Sequence, residues 1–563
     1  MSDLDIVLGI DLGTTYSAMA YVDRFGKPQI IVSADGEATV PSVVYFYDND
    51  AFVVGGEAVK MVVADPSNVA RFVKRSMGEE DFTLEYFGQG YTPQELSAIV
   101  LRRLKNDAEE FFGRPISDAV VTVPAYFNAA QRAATAEAGA VAGLNVLSII
   151  NEPTAAAIAY GLDRMGTTHN FMVFDLGGGT FDVTIMRIEG DTLRAVATDG
   201  NAELGGKDWD DRLVSHVAEQ FVSRFGVDPR DDPQPYQELY ERCLAAKLAL
   251  TTQPRAVIPV NYRGRRMAVP ITTAEFNDMC RDLVEQCTDT CEIVLEKAGM
   301  RWPDLDDVVL VGGATRMPMV HDELARRSGV RPNAELNPDE CVAMGAALAG
   351  VYRHRRGHPA ISGSSQALGI EETVQPAPAH PEHSESPTLR DEEGPSLVEA
   401  TIVLPPAAAQ PHAPAKLSGG LPGLTITDIA THPLGIIVLD ANLRERIVEL
   451  IPEASALPTE KRGRFAYAYD NMTAVRVQIT EGHGTSRDEV MVIGDVILDR
   501  LPPRPRGTPI DVIYRYNTDQ ILEVDIIDVE TGAQRSATIS IKGSLSQDRI
   551  ERARANIGRA RIR

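Results

Sequence analysis

The sequence predicts an internally duplicated α/β domain followed by an all-β domain. Two similar strand–turn–strand stretches lie in the first half, and strand and helix patterns alternate up to about residue 355. Short strand patterns separated by turn signals then fill residues 429–543. With 563 residues, 44% of them hydrophobic, the chain is long enough to form several domains with their own cores.

Two glycine turns are the best-defined local features. One apolar run leads into Asp11-Leu12-Gly13-Thr14-Thr15, and another leads into Asp175-Leu176-Gly177-Gly178-Gly179-Thr180. A further strand pattern follows each turn, so both stretches predict a β-hairpin. Successive backbone N–H groups in such turns form a concave anion site. The two copies therefore predict two hairpins that face one polyphosphate.

Apolar periodicity and the positions of proline and glycine predict the other elements of the first domain. Pro153 predicts a helix start, with the carboxylate of Glu152 just before it. Gly312 and Gly313 follow a buried strand, which fits close approach by a nucleotide. Strands are predicted at 40–46, 119–124 and 307–311, and helices at 92–112, 210–250, 273–297 and 341–350.

Composition excludes several functional classes. The net charge of −25 argues against nucleic-acid binding, which needs a basic face. No apolar run reaches the roughly 18 residues that a membrane span requires. The acidic N-terminus does not resemble a signal peptide, and five sparse cysteines favour a reducing compartment, so we expect a cytoplasmic protein.

Eight segments, taken together and in order, resemble the seventy-kilodalton heat-shock chaperone family (DnaK-like) over essentially all of residues 5–353. They are GIDLGTTYS (9–17), KRSMG (74–78), VPAYFNAAQR (123–132), NEPTAAAIAYG (151–161), FDLGGGTFDV (174–183), LGGKDWD (204–210), VGGATRMPMV (311–320) and NPDECVAMGAA (337–347). The resemblance implies an α/β actin-like ATPase fold with two lobes around a cleft. The implied ligands are ATP or ADP with Mg²⁺, and K⁺ is a further candidate cation.

The resemblance and the change in composition at residue 357 together predict the domain limits. Residues 1–356 would form the nucleotide-binding ATPase domain, and 357–422 a disordered Pro-rich linker. Residues 423–543 would form a β-sandwich substrate-binding domain, and 544–563 a short C-terminal helix or tail. The linker holds 11 of the 35 prolines and no Phe, Trp or Tyr, which is typical of a disordered tether. Its apolar stretch 400–404 could dock onto a domain, and residues 424–428 stand where the family's interdomain linker reports the nucleotide state.

The resemblance assigns roles in the cleft by position. Glu152 would orient the attacking water and Lys74 would stabilise the transferring phosphoryl group. Without the resemblance, Lys74 could also be a solvated surface lysine, and Glu152 could be an acid that only stabilises the start of a helix. Asp11 and Asp175 would hold Mg²⁺ through water, and Lys74, Glu152, Asp175 and Thr180 are the predicted catalytic set. The predicted nucleotide-binding residues are Asp11, Gly13, Thr14, Thr15, Tyr16, Gly177, Gly178, Gly179, Gly205, Gly206, Lys247, Thr251, Gly312, Gly313, Arg316 and Asp339.

Three residues depart from the family pattern. Leu244 and Lys207 replace acids near the nucleotide, so we expect altered nucleotide affinity or exchange. Ser148 replaces an arginine that J-domain partners use. Docking of a J-domain co-chaperone and of a nucleotide exchange factor is therefore left open.

The second domain resembles the family's peptide-binding sandwich more loosely. Its predicted ligands are unfolded or apolar client polypeptides, bound in extended form. A plain sandwich core also explains the same apolar residues. About twenty residues follow Gly543, so we expect no helical lid and fast peptide exchange. The predicted peptide-binding residues are Ile436, Leu439, Phe465, Ala468, Val475, Val477 and Ile479.

These features predict an ATP-dependent molecular chaperone that hydrolyses ATP to control client binding. The alternative is a nucleotide-switched scaffold that binds one dedicated partner and has little ATPase activity. An actin-like sugar or acetate kinase would leave residues 429–543 unexplained.

Overall fold

A computed structural model of the chain describes residues 6–79, 81–333, 335–355, 402–403, 425–440, 442–538 and 545–562; the side chains of 163, 352–355, 402–403 and 537–538 are not described. These residues form two compact units. The first unit contains residues 6–355, 425–431 and 545–562, and the second contains 402–403 and 432–538. Apart from residues 402 and 403, the predicted linker lies outside the described residues, as does residue 424.

Residues 8–161 form the first half of the first unit. Its elements are β1 (Leu8–Asp11), β2 (Tyr16–Val22), β3 (Pro28–Ile30), β4 (Thr39–Pro41), β5 (Val44–Asp48), β6 (Ala51–Val54), α1 (Gly56–Ala64), β7 (Val69–Ala70), β8 (Leu84–Tyr86), β9 (Gln89–Tyr91), α2 (Pro93–Phe112), β10 (Asp118–Val123), α3 (Ala129–Val141), β11 (Asn145–Asn151) and α4 (Glu152–Gly161).

Residues 168–355 form the second half. Its elements are β12 (Thr168–Leu176), β13 (Phe181–Glu189), β14 (Thr192–Asn201), α5 (Gly206–Phe225), α6 (Pro233–Leu250), β15 (Arg255–Tyr262), β16 (Arg265–Thr272), α7 (Thr273–Met279), α8 (Arg281–Lys297), β17 (Asp307–Val311), α9 (Pro318–Ser328) and α10 (Cys341–Arg355).

The remaining described elements are divided between the two units. They are β18 (Ile402–Val403), β19 (Thr425–Thr427), β20 (Leu434–Leu439), β21 (Glu445–Ile451), β22 (Thr459–Ala466), β23 (Val475–Glu481), β24 (Met491–Leu498), β25 (Pro509–Tyr516), β26 (Leu522–Asp528), β27 (Gln534–Thr538), α11 (Gln547–Arg559) and β28 (Arg561–Ile562). Of these, β19, α11 and β28 belong to the first unit, and the others to the second.

The two halves of the first unit repeat one sheet topology. In the first sheet the order is β3-β2-β1-β10-β11, and in the second it is β14-β13-β12-β17, extended at the β14 edge by β19. Each sheet is built on an antiparallel hairpin, β1–β2 or β12–β13, with a parallel strand beside its first member. The predicted duplication and both glycine hairpins are therefore confirmed.

Local signals explain where two predicted helices divide. The region 210–250 forms α5 and α6, because Gly226 ends α5 in the left-handed conformation (φ 70°) and Pro233 begins α6. The region 273–297 forms α7 and α8, which divide at Cys280. The helix over 92–112 is confirmed, and a complete capping box formed by Thr92 and Glu95 fixes its start.

Two later segments of the chain pack within the first unit. Strand β19 pairs in parallel with β14, and the carboxylate of Asp428 accepts hydrogen bonds from Asn151 (2.8 Å) and Thr154 (3.1 Å). Helix α11 buries Ile550, Ala553 and Ile557 in the core formed with α2 and α3. Beyond it, β28 pairs in parallel with β6.

The second unit is one nine-stranded sheet, in which the strands follow the order β24-β23-β20-β18-β22-β25-β26-β27 and β21 also pairs with β20. Its inward residues alternate with exposed ones, as in β24 and β22, which is typical of a sandwich face. Asp511, buried on β25, accepts hydrogen bonds from Arg462 and Arg464 of β22. Across the described part of the chain, no helix is both long and apolar enough to cross a membrane.

Candidate functional site

The two glycine hairpins of the first unit meet at the bottom of a cleft. A Cβ atom on Gly178 would lie 1.8 Å from Oγ1 of Thr15, and one on Gly179 would lie 2.5 Å from Cγ2 of Thr14. No side chain fits at either position, so glycine is required for this close approach. The turns thus present their backbone N–H groups from opposite sides of one space.

A buried ion pair lies at the floor of this cleft. The Nζ atom of Lys74 donates a hydrogen bond to Oε1 of Glu152 at 2.6 Å, and the side chains are 5% and 9% exposed. Lys74 is placed by a short 3₁₀ turn, Val73–Ser76, whereas Glu152 is the first residue of α4. The lysine is therefore not a surface residue, and the alternative of a solvated charge is excluded.

Carboxylates surround this pair. Burial and the charge of Glu152 raise the pKa of Asp11 to about 7 and that of Asp182 to about 7. The same two causes, with Asp182 and Asp11 also contributing, raise the pKa of Asp175 well above its ordinary value. The carboxylates of Asp11 and Asp175 suit a hard divalent cation held through water, such as Mg²⁺, whereas the described residues include no group of three or more side chains placed to bind a metal ion directly.

The cleft encloses a cavity of about 470 Å³, and most predicted residues line it. The four predicted catalytic residues all contribute to its wall, as do the predicted nucleotide-binding residues with two exceptions. Gly179 and Gly205 are not lining residues. A Cβ atom on Gly205 would lie 2.5 Å from the backbone nitrogen of Gly179, so these glycines allow two backbones to pack behind the cavity wall.

One end of the cavity combines polar and apolar side chains. Lys247 donates hydrogen bonds to the carbonyl of Gly206 (2.8 Å) and to Asp210 (2.9 Å), while Arg316 pairs with Asp339 at 2.6 Å. Leu244 lines the wall beside them, and Leu248 remains 59% exposed. This end offers an apolar surface and a guanidinium plane to a nucleoside.

A bridge across the cleft was missed by sequence reasoning. The guanidinium of Arg71 lies over the neighbouring rings of Phe72 and Tyr240, with its Cζ 4.9 and 5.1 Å from their centroids, and forms an ion pair with Glu241 at 2.7 Å. Arg75 makes a second bridge to Asp208 at 2.6 Å. Arg71 is 170 positions from Glu241, so no local pattern could have paired them.

The predicted peptide-binding residues occupy one region of the second unit. Ile436 and Leu439 lie on β20, Phe465 on β22, and Ala468 just after it. The other three are on β23. All seven are at most 7% exposed, and strand β18 lies between β20 and β22.

Comparison with known proteins assigns the family. The model of "Hsp70 protein" matches residues 7–358 and 408–560. The chain belongs to the Hsp70 family. It is 35% identical to "Chaperone protein DnaK" of Thermotoga petrophila over 556 residues, covering 97% of this chain and 82% of that protein. The protein of the same name from Halobacterium salinarum is also 35% identical, with 97% and 76% covered.

Membership in the Hsp70 family confirms the predicted fold class and general function. The chain joins an α/β actin-like ATPase domain to a β-sandwich substrate-binding domain. It is an ATP-dependent chaperone of the Hsp70 type, with ATPase activity.

Proposed function

We propose that Lys74 and Glu152 carry out ATP hydrolysis in this cleft, and that hydrolysis controls the binding of extended apolar client segments to the second unit. The observation that carries the proposal is the buried Lys74–Glu152 pair beneath two glycine hairpins. Phosphoryl transfer depends mainly on positioning and on stabilisation of charge, and both are available here.

Each group has a distinct role. The carboxylate of Glu152 accepts a hydrogen bond from the attacking water and orients it. The ammonium of Lys74 stabilises the negative charge on the transferring phosphoryl group. The hairpin N–H groups hold the phosphate oxygens. Thr180 is buried, and its hydroxyl donates a hydrogen bond to the same phosphate oxygens.

Mg²⁺ would be held by Asp11 and Asp175 through water. When bound, it neutralises charge on the phosphate oxygens. At the other end of the cavity, Arg316 and Asp339 would contact the adenosine, with Lys247 and Thr251 nearby. Leu248 would cover one face of the base.

The proposed ligands of the second unit are unfolded or apolar polypeptides. A peptide in extended form gains main-chain hydrogen bonds by strand addition, and apolar positions determine which sequences fit. A J-domain co-chaperone and a nucleotide exchange factor are proposed partners of the ATPase cycle. We also propose a cytoplasmic location, because all five cysteines are free thiols.

Single-turnover hydrolysis tests the catalytic assignment. Lys74→Ala and Glu152→Gln should each lower the rate constant at least about 100-fold, as loss of a transition-state contact does. Arg24→Ala is the control, because Arg24 is exposed and is not among the cavity-lining residues. If both cleft variants hydrolyse ATP at the wild-type rate, the assignment is wrong.

A further inference from the structure

Two residues of the proline-rich segment form a strand inside the second unit. Ile402 and Val403, as β18, pair in parallel with Val438 and Leu439 of β20. On the other side, Val403 pairs in antiparallel fashion with Ala466 of β22. A short piece of the region predicted to be a tether thus completes the sheet between two strands that are distant from it in sequence.

Strand β18 fills a gap left by the neighbouring strands. β23 pairs with β20 only over Leu434–Ile436, whereas β21 pairs along the opposite edge of β20 as far as Leu439. The end of β20, at Val438 and Leu439, therefore has one edge that β23 does not reach. β25 pairs with β22 along its whole length, on the other edge of that strand. The open edges of β20 and β22 thus form a slot for one extended segment.

The slot coincides with predicted client-binding positions. Leu439 is the register partner of Val403, and Phe465 directly precedes its other partner, Ala466. Ala468 lies two residues further along the chain. Backbone pairing on both sides is the mode by which a sheet recognises an extended peptide.

The sequence around β18 resembles a strand-forming client segment. Residues 400–404 read Ala-Thr-Ile-Val-Leu, an uncharged run with two β-branched aliphatic residues at its centre. Pro405 and Pro406 follow directly. Proline cannot donate to a sheet ladder, so the part of the segment that can pair is short.

We propose that the strand Ile402–Val403 is an internal competitor in the peptide slot of the same chain, and that external clients displace it. The proposal rests on the proposed function, because it takes the slot to be the client site. A tethered competitor acts at an effective concentration of about millimolar, so it weakens the apparent affinity for every external peptide.

Binding of a dye-labelled peptide with an Ala-Thr-Ile-Val-Leu core, followed by fluorescence anisotropy, tests the competition. The full-length double variant Ile402→Asp/Val403→Asp should bind this probe at least about tenfold more tightly than wild type. The control is Ala407→Asp/Ala408→Asp, which adds the same charge to the same segment and should bind like wild type.

A reversible crosslink tests the register directly. Val403→Cys/Ala466→Cys places thiols at paired positions, and the five native cysteines are buried. Oxidation should form the disulfide and abolish probe binding, and reduction should restore it. Val403→Cys/Glu523→Cys, which joins positions that are not paired, is the control and should not crosslink.

The outcomes separate this proposal from the proposed function. If Ile402→Asp/Val403→Asp and wild type bind the probe with equal affinity, the internal competitor is overturned, whereas client binding by the second unit remains intact. Weaker binding by that variant, or failure of the oxidised Val403→Cys/Ala466→Cys variant to form a disulfide, would also overturn the competitor. If neither wild type nor either Asp variant binds the probe, both the competitor and the proposed client site are wrong.

Discussion

The Nζ atom of Lys74 lies 2.6 Å from Oε1 of Glu152, and both groups are buried beneath the hairpins that carry Asp11 and Asp175. Burial, followed by the charge of Glu152, raises the pKa of Asp11 and that of Asp175, although the charge of Lys74 opposes this increase. The arrangement has consequences for stability as well as for catalysis.

Removing one member of the pair leaves the other charge buried without its partner. We expect Lys74→Met to destabilise the first unit by about 3–5 kcal/mol. The double variant Lys74→Met/Glu152→Gln should recover much of this loss, because neither charge is then left alone. Urea unfolding of wild type and of both variants without nucleotide measures the two free-energy losses. Equal destabilisation by the single and double variants would contradict the role of charge.

The bridge across the cleft should control nucleotide release. Arg71→Ala removes the ion pair with Glu241 and the contact with the ring of Tyr240. A loss of about 1.4 kcal/mol would accelerate dissociation about tenfold. Stopped-flow release of a fluorescent ADP analogue measures this rate, with Arg24→Ala as the control. An unchanged rate in Arg71→Ala would show that the bridge does not hold the cleft closed.

Docking of β19 should strengthen as the pH falls. Burial raises the pKa of Asp428, although the amide of Ile429, the charge of Arg132 and the hydrogen bonds from Thr154 and Asn151 oppose this increase. A raised pKa in the docked state means that docking favours the protonated acid, so stability is lost as the pH rises through that pKa.

Hydrogen-exchange protection factors of Thr425–Thr427, followed as the pH rises from the ordinary aspartic acid pKa of 3.8, measure this docking. Protection should decrease as the pH rises in wild type and should vary less with pH in Asp428→Asn, which cannot ionise. A pH dependence as steep in the variant as in wild type would assign the effect to another group.

The last helix should stabilise the first unit. Ile550 is 4% exposed and packs with α2 and α3, and Arg549 pairs with Glu95 at 2.9 Å. Ile550→Ala should cost about 2–5 kcal/mol through lost burial and the cavity that remains. Glu551→Ala, at an exposed position of the same helix, should cost less than about 0.5 kcal/mol. Differential scanning calorimetry of the first unit's transition compares them; equal midpoints would mean that α11 does not contribute.

Local signals made part of this structure predictable. The glycine turns at Asp11 and Asp175 specify both hairpins, and Thr92 with Glu95 specifies the start of α2. The hairpin β15–β16 was not predicted: of the two turn residues with positive φ, Arg263 and Gly264, only the glycine is a turn signal in the sequence. Helix α11 shows an apolar stripe at Ile550, Ala553 and Ile557, but a stripe does not identify its partner.

Contacts between residues that are far apart in the chain could not be predicted from the sequence. Arg71 finds Glu241 only because the fold brings α6 over the cleft. For the same reason, the apolar run at 400–404 indicated that docking was possible, whereas the location of Ile402 and Val403 between β20 and β22 depends on where β23 stops.

Control of client binding by the ATPase cleft is the central claim. The most direct measurement is the dissociation rate of a labelled apolar peptide from the full chain, recorded after mixing with excess ATP or with excess ADP. We predict release at least about tenfold faster with ATP, and loss of this difference in Asp428→Ala, which removes the contacts with Asn151 and Thr154. Identical release rates with ATP and ADP in the wild-type chain would contradict the claim.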